Sequence, residues 1–214
     1  MNRRQALRNI GLGTGALVVG PTTLGLLQSC KNEPSYNWQP TFLSAANGFA
    51  LQQILEVIIP KTDTPGAKDL NLAKFIDSYM DKVASKEKQN EFLETADAFS
   101  RAFQEEFDKE AGEGTAENYE QIVRKYLKAN DKEIEVYKKR LTETQDPQDR
   151  DPKVLMDADA GAFSYLENVR GMGIWGWKTS EQIGENVLWY DPVPGEYIPC
   201  GPTSELGNGK TMSL

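Results

Sequence analysis

Apolar residues recur along this chain at the spacing of helices rather than strands. From Ser44, a residue suited to an N-cap, Phe49, Leu51, Ile54, Leu55 and Ile58 predict a first helix to about Ile59, stopped by Pro60. Thr62-Asp63-Thr64-Pro65-Gly66 reads as a turn, with Pro and Gly in the order of a type II turn. Leu72, Phe75, Ile76, Tyr79, Met80 and Val83 alternate steps of three and one, which puts all six on one face of a second helix. Ser85 is placed to cap a third helix with Phe92, Ala96, Phe99, Phe103 and Phe107 as its stripe, and Gly112 and Gly114 as its end. A fourth carries Tyr119, Ile122, Val123, Tyr126 and Leu127, and its pattern continues through Ile134, Tyr137 and Leu141.

After a polar linker over 144–153, a fifth helix begins near Asp157 with Phe163, Leu166 and Val169 inside. A short sixth follows Thr179-Ser180-Glu181, and 190–197 is extended and turn-rich. From Gly201 no apolar period remains, so 201–214 is expected to be a disordered tail. No internal repeat and no run of period-two alternation is present. The expected fold is all-α: an irregular bundle of five or six helices over 41–200, closed by a turn-rich segment.

The first thirty residues follow other rules. Arg3, Arg4 and Arg8 precede an uncharged stretch from Asn9 to Ser29 rich in Gly, Ala, Leu and Val. That order of charge and apolarity describes an export signal over 1–29, and it is too glycine-rich for a spanning helix. Arg3-Arg4 resembles a twin-arginine signal. Leu27-Gln28-Ser29-Cys30 resembles a bacterial lipobox, with Cys30 as the lipidated first residue of the mature protein and 30–40 as its tether. Cleavage there leaves 185 residues, the size of one domain.

Charge and chemistry then exclude more than they assign. The chain has 24 basic and 32 acidic residues; three arginines and no acids lie before Cys30, so the remainder carries a net charge of −11. A nucleic-acid partner is excluded for want of a basic footprint. There is no histidine, which removes Ser-His-Asp and Cys-His nucleophiles, the His-Glu-x-x-His zinc helix and His-ligated haem. With two cysteines, Cys30 and Cys200, there is no iron–sulfur or haem-attachment motif, and a lipidated Cys30 leaves Cys200 alone. The chain itself is expected to bind no cofactor and no metal.

Four patterns invite a functional reading. Gly171-Met172-Gly173-Ile174-Trp175-Gly176 is G-x-G-x-x-G, yet the preceding Phe163–Arg170 is helical in period, where a dinucleotide site needs a strand; a bend or close helix packing fits better. Asp157-Ala158-Asp159-Ala160-Gly161 opens like a calcium loop but lacks the ligands that follow, so its acids suit a linker and a helix N-terminus. The many carboxylates define no catalytic pair and lie opposite the apolar stripes. Trp175, Trp177, Trp189, Tyr190 and Tyr197 fall within 23 residues; such rings either complete a core or anchor an interface.

The landmarks together resemble one family. The Arg3-Arg4 signal, the Ile58–Ala67 turn, the Phe75-Ile76-Asp77 helix and the Tyr190-Asp191-Pro192-Val193-Pro194-Gly195 segment are similar, in order and across nearly the whole chain, to the gluconate 2-dehydrogenase subunit 3 family. The resemblance implies a small exported, non-catalytic subunit. Its partner would be a large flavin-containing (FAD) sugar or polyol oxidoreductase, in some members with a cytochrome c subunit carrying haem c. The small subunit would escort the large one through export and help it mature, on the periplasmic side of the envelope. The other reading of the same residues is an autonomous envelope lipoprotein that binds a ligand or protein. For the partner surface the expected residues are Thr62, Asp63, Pro65 and Gly66 of the turn and Trp189, Tyr190, Asp191, Pro192, Pro194 and Tyr197 of the closing segment, where prolines fix φ in advance.

Overall fold

A computed structural model describes residues 38–145, 155–193, 195, 196, 198 and 200–213. Among these the structure is helical, without a strand, as the periodicity predicts. Helices α1 (Ala45–Ile58), α2 (Leu72–Lys82), α3 (Lys86–Phe107), α4 (Ala116–Leu127), α5 (Asp131–Gln145) and α6 (Ala158–Thr179) are followed by the short α7 (Glu181–Asn186) and α8 (Thr203–Leu206). The caps lie where small polar residues precede apolar stripes. The Ser44 hydroxyl accepts from the Asn47 amide at 3.2 Å, Ser85 from Lys88 at 3.4 Å, and the Asp157 carboxylate from Ala160 at 2.9 Å. Thr115 and Asn118 form a reciprocal capping box on α4.

The core forms around α6, against which α1, α2, α3, α4, α5 and α7 all pack. Its densest part is aromatic: Tyr165 of α6 lies 5.3 Å from Phe92 and 5.5 Å from Phe99, and Phe103 lies 5.0 Å from Tyr119. Such tilted pairs contribute about 0.5–1.5 kcal/mol each beyond area burial. Tyr119 donates to the Ala111 carbonyl, whereas the buried Tyr165 hydroxyl has no partner among the described residues.

Ahead of α1, residues 38–43 have no regular structure but are fastened at three points. Trp38 Nε1 donates to Gln52 at 3.1 Å. Pro40 sits over Gly48, where a Cβ would stand 2.5 Å from the proline Cγ. The third is the buried carboxylate of Asp77 on α2, which accepts the Thr41 amide at 2.7 Å, the Thr41 hydroxyl at 3.0 Å, the Phe42 amide at 3.2 Å and the Leu43 amide at 2.9 Å.

The structure departs from the sequence reading at several places. The long fourth pattern is two helices: Asn130 caps α5, its carboxamide accepting the Lys132 and Glu133 amides while Glu133 accepts the Asn130 amide, so the chain turns at 128–130. α3 ends before its glycines, because Asp108 takes the left-handed conformation (φ 53°) that short polar side chains tolerate; Gly112 lies in a 3-10 turn, Ala111–Glu113. Val83 is 66% exposed instead of buried, since α2 stops at Lys82 and the stripe geometry ends with it. The segment after Gly201, expected without structure, carries α8 and returns to Trp189: the Trp189 amide donates to Thr211 at 2.9 Å and Ser213 to the Trp189 carbonyl at 2.8 Å. Backbone pairing of this kind leaves no apolar period to detect. None of the described helices is long and apolar enough to cross a membrane.

Candidate partner interface

The turn between α1 and α2 is held at both ends. Ala67 donates to the Ile59 carbonyl at 2.9 Å and Thr62 to the Thr64 carbonyl at 3.1 Å. The Asp69 carboxylate accepts the Gly66 amide at 3.1 Å and the Lys61 ammonium at 3.1 Å, and these two, the amide first, hold its pKa below the ordinary value. From the far side, the Trp177 indole N–H of α6 donates to the Pro65 carbonyl at 2.9 Å. The turn is not type II, for Gly66 does not have the positive φ that type requires. Its glycine is required sterically: a Cβ there would stand 2.5 Å from the Lys61 amide nitrogen. Thr62 and Asp63 are exposed, Pro65 is half-buried and Gly66 is buried, so the turn presents polar side chains outward on a fixed backbone.

In the closing segment Trp189 is half-buried against Gly207, where a Cβ would come 2.9 Å from the indole ring. Tyr190, Val193 and Ile198 are exposed, Pro192 also, and Asp191 is half-buried. Trp189 packs on the C-terminal residues, whereas the turn packs on Trp177; their contacts are with different partners. Pro194, Tyr197, Cys30, Arg3 and Arg4 lie outside the described residues. Cys200 is exposed and unpaired.

The glycine string lies inside α6, not between a strand and a helix. Gly173 and Gly176 serve packing: a Cβ would stand 2.7 Å from Leu55 Cδ2 at the first and 3.0 Å from the Phe75 ring at the second. That close approach turns Ile174 and Trp175 outward, 45% and 44% exposed. Trp175 lies 5.3 Å from Phe75 and 5.6 Å from Tyr79 of α2. With Met80 and Met172 it lines a cleft of about 310 Å³ whose polar edge holds Lys88, Glu91 and Asn168. The helical spacing places Phe75 and Tyr79 on the core face; the structure leaves both half-buried, forming this aromatic wall. Large, rigid rings half exposed on a helix face are what interfaces use as anchors.

The acidic string at the start of α6 likewise has a structural role. Asp157 caps the helix, and Asp159 accepts the Tyr126 hydroxyl at 2.6 Å and lies 3.4 Å from the Lys125 ammonium. Burial works against the Asp159 charge, yet the Tyr126 hydroxyl, Lys125 and Arg140 outweigh it and keep the carboxyl below its ordinary pKa. Burial alone would lower the Lys125 pKa, but Glu106 at 3.0 Å and Asp159 hold it above the ordinary value. No group of three or more potential metal ligands occurs among the described residues.

The family model for gluconate 2-dehydrogenase subunit 3 matches residues 46–195, from the first turn of α1 into the closing segment. No curated protein and no solved structure gives a significant match. The match takes in α1 to α7, the fastened turn and the Trp175 cleft in a single alignment, and on that extent the chain belongs to the gluconate 2-dehydrogenase subunit 3 family.

Proposed function

We propose that the chain is the non-catalytic small subunit of a periplasmic, flavin-dependent sugar or polyol dehydrogenase complex, serving as export escort, maturation partner and membrane tether. The family match over 46–195 carries this reading. The absence of histidine supports a non-catalytic part, since Ser-His-Asp and Cys-His nucleophiles, the His-Glu-x-x-His zinc helix and His-ligated haem all need it. In this reading Arg3 and Arg4 address the chain for export, Cys30 receives the lipid, and FAD resides in the large subunit, with haem c in a cytochrome subunit where one is present. One acyl chain gives only marginal attachment, so a stable tether implies several on Cys30.

Two surfaces suit a large partner. One is the Ile174–Trp175 face of α6; the other is formed by the exposed Tyr190, Val193 and Ile198 of the closing segment. A complex that survives export needs about 1,200 Å² or more of buried surface, with aromatic anchors at its centre.

The test is co-expression with the flavoprotein of the same gene cluster and capture through a tag on the small subunit. Trp175→Ala and Tyr190→Ala, singly and together, should reduce recovery of the flavoprotein at least about tenfold while the subunit's own Tm moves by less than about 4 °C. Full recovery with the double variant would place the interface elsewhere, and no flavoprotein with the unaltered chain would defeat the reading itself. Localisation supplies separate checks. Arg3→Lys with Arg4→Lys should leave the protein in the cytoplasm, and Cys30→Ser should release it from membranes.

A further inference from the structure

α5 is built differently from the other long helices. Eight of its fifteen residues are charged, and none of its side chains described from Asp131 to Glu143 is buried, whereas α1, α2, α3, α4 and α6 each bury four or more. Its central contact is one ring: Tyr137 stacks on Phe163 at 5.3 Å and leans on Tyr126 of α4 at 5.7 Å. Ile134 and Leu141 flank that ring half-buried, and Val136 is 45% exposed. Arg140 adds long ion pairs to Asp157 at 3.7 Å and Asp159 at 4.0 Å, each between half-exposed groups, a kind that adds little to stability.

The helix carries its own termination signals. Asn130 and Glu133 cap its start reciprocally, and Lys139–Glu143 is an i,i+4 pair on its surface. Beneath it, the hydrogen bonds of the polar network close without it. The Tyr126 hydroxyl is satisfied by Asp159, and Lys125 by Glu106 and Asp159, all on α3, α4 and α6. Removing α5 therefore leaves no buried donor or acceptor of this network unpaired. It uncovers apolar surface, the rings of Phe163 and Tyr126, now 5% and 0% exposed, beside the carboxylates of Asp157 and Asp159.

From this arrangement we propose that α5 is a displaceable strap: it swings as a unit about 128–130 and, in its docked state, plugs an aromatic slot with Tyr137.

Hydrogen exchange on the purified full chain tests this. Amides in 133–143 should exchange at least about tenfold faster than those in the middle of α3 and α6, because a helix with few buried contacts opens without the core. Tyr137→Ala should speed exchange in α5 further and leave α3 and α6 unchanged, and Arg140→Ala should do the same to a smaller extent. If α5 is protected as strongly as α3 and α6, or if Tyr137→Ala speeds exchange in all three helices together, α5 is an integral part of the core and the strap does not exist.

Discussion

Asp77 offers the sharpest test of how the domain is closed. Its carboxylate is 1% exposed and accepts three successive backbone amides and one hydroxyl from 41–43, the point where the chain enters the bundle. Truncation by Asp77→Ala removes every one of those acceptors. Thr41 is exposed and can exchange its bonds for water, but Leu43 is 6% exposed and its amide would be left without a partner. An orphaned buried donor costs about 1–3 kcal/mol, and a lost bond to a charged acceptor about 1.5–3 kcal/mol before rehydration. Taken together, about 3 kcal/mol is expected.

For a chain of this size each kcal/mol moves Tm by about 2–4 °C, so the drop should be about 6–12 °C. Asp77→Asn should lose less, because its remaining oxygen can still accept the Phe42 and Leu43 amides while its NH2 faces the Thr41 amide. Thr41→Val, which deletes only the hydroxyl bond, should cost about 1 kcal/mol or less. Thermal unfolding followed by far-UV circular dichroism gives the Tm, and hydrogen exchange of residues 41–44 gives the local effect. A Tm for Asp77→Ala within about 2 °C of the parent, with 41–44 still protected, would refute the clasp.

Other consequences are quicker to state. Gly66→Ala drives a Cβ to within 2.5 Å of the Lys61 amide nitrogen; overpacking against backbone costs about 2 kcal/mol, a Tm loss of about 4–8 °C, and an unchanged melt would show that the turn yields freely. Asp159 has a pKa held below 3.8, so its folded-state stabilisation is present above that value and is lost as pH falls through the folded pKa. The parent should therefore lose more Tm between pH 5 and pH 3 than Asp159→Asn does, and parallel curves would count against the ion network.

Much of the fold is written in local pattern. The Ser44, Ser85, Thr115 and Asp157 side chains cap helices because each can reach an unpaired amide two or three residues on, and that relation lies within a few positions of sequence. Phe92, Ala96, Phe99 and Phe103 of α3 and Tyr119, Ile122, Val123 and Tyr126 of α4 bury as their spacing demands, while Phe107 and Leu127 at the helix ends are half-buried. The absence of histidine limits the available chemistry whatever the fold.

The candidate site was less legible, because its geometry comes from contacts far apart in the chain. Trp175 and Trp177 look alike in sequence. Two positions on a helix are about 200° apart, so one turns outward while the other reaches Pro65, 112 residues away. Asp77 sits on the buried face of α2, and its partners are backbone amides 34–36 residues distant, which carry no side-chain signature. Gly66, Gly173 and Gly176 are set by what packs against them, not by backbone conformation. Local pattern therefore determined which segments are helical and where most of them start. Only the assembled bundle decided which rings stay exposed, because exposure depends on where the other helices come to rest.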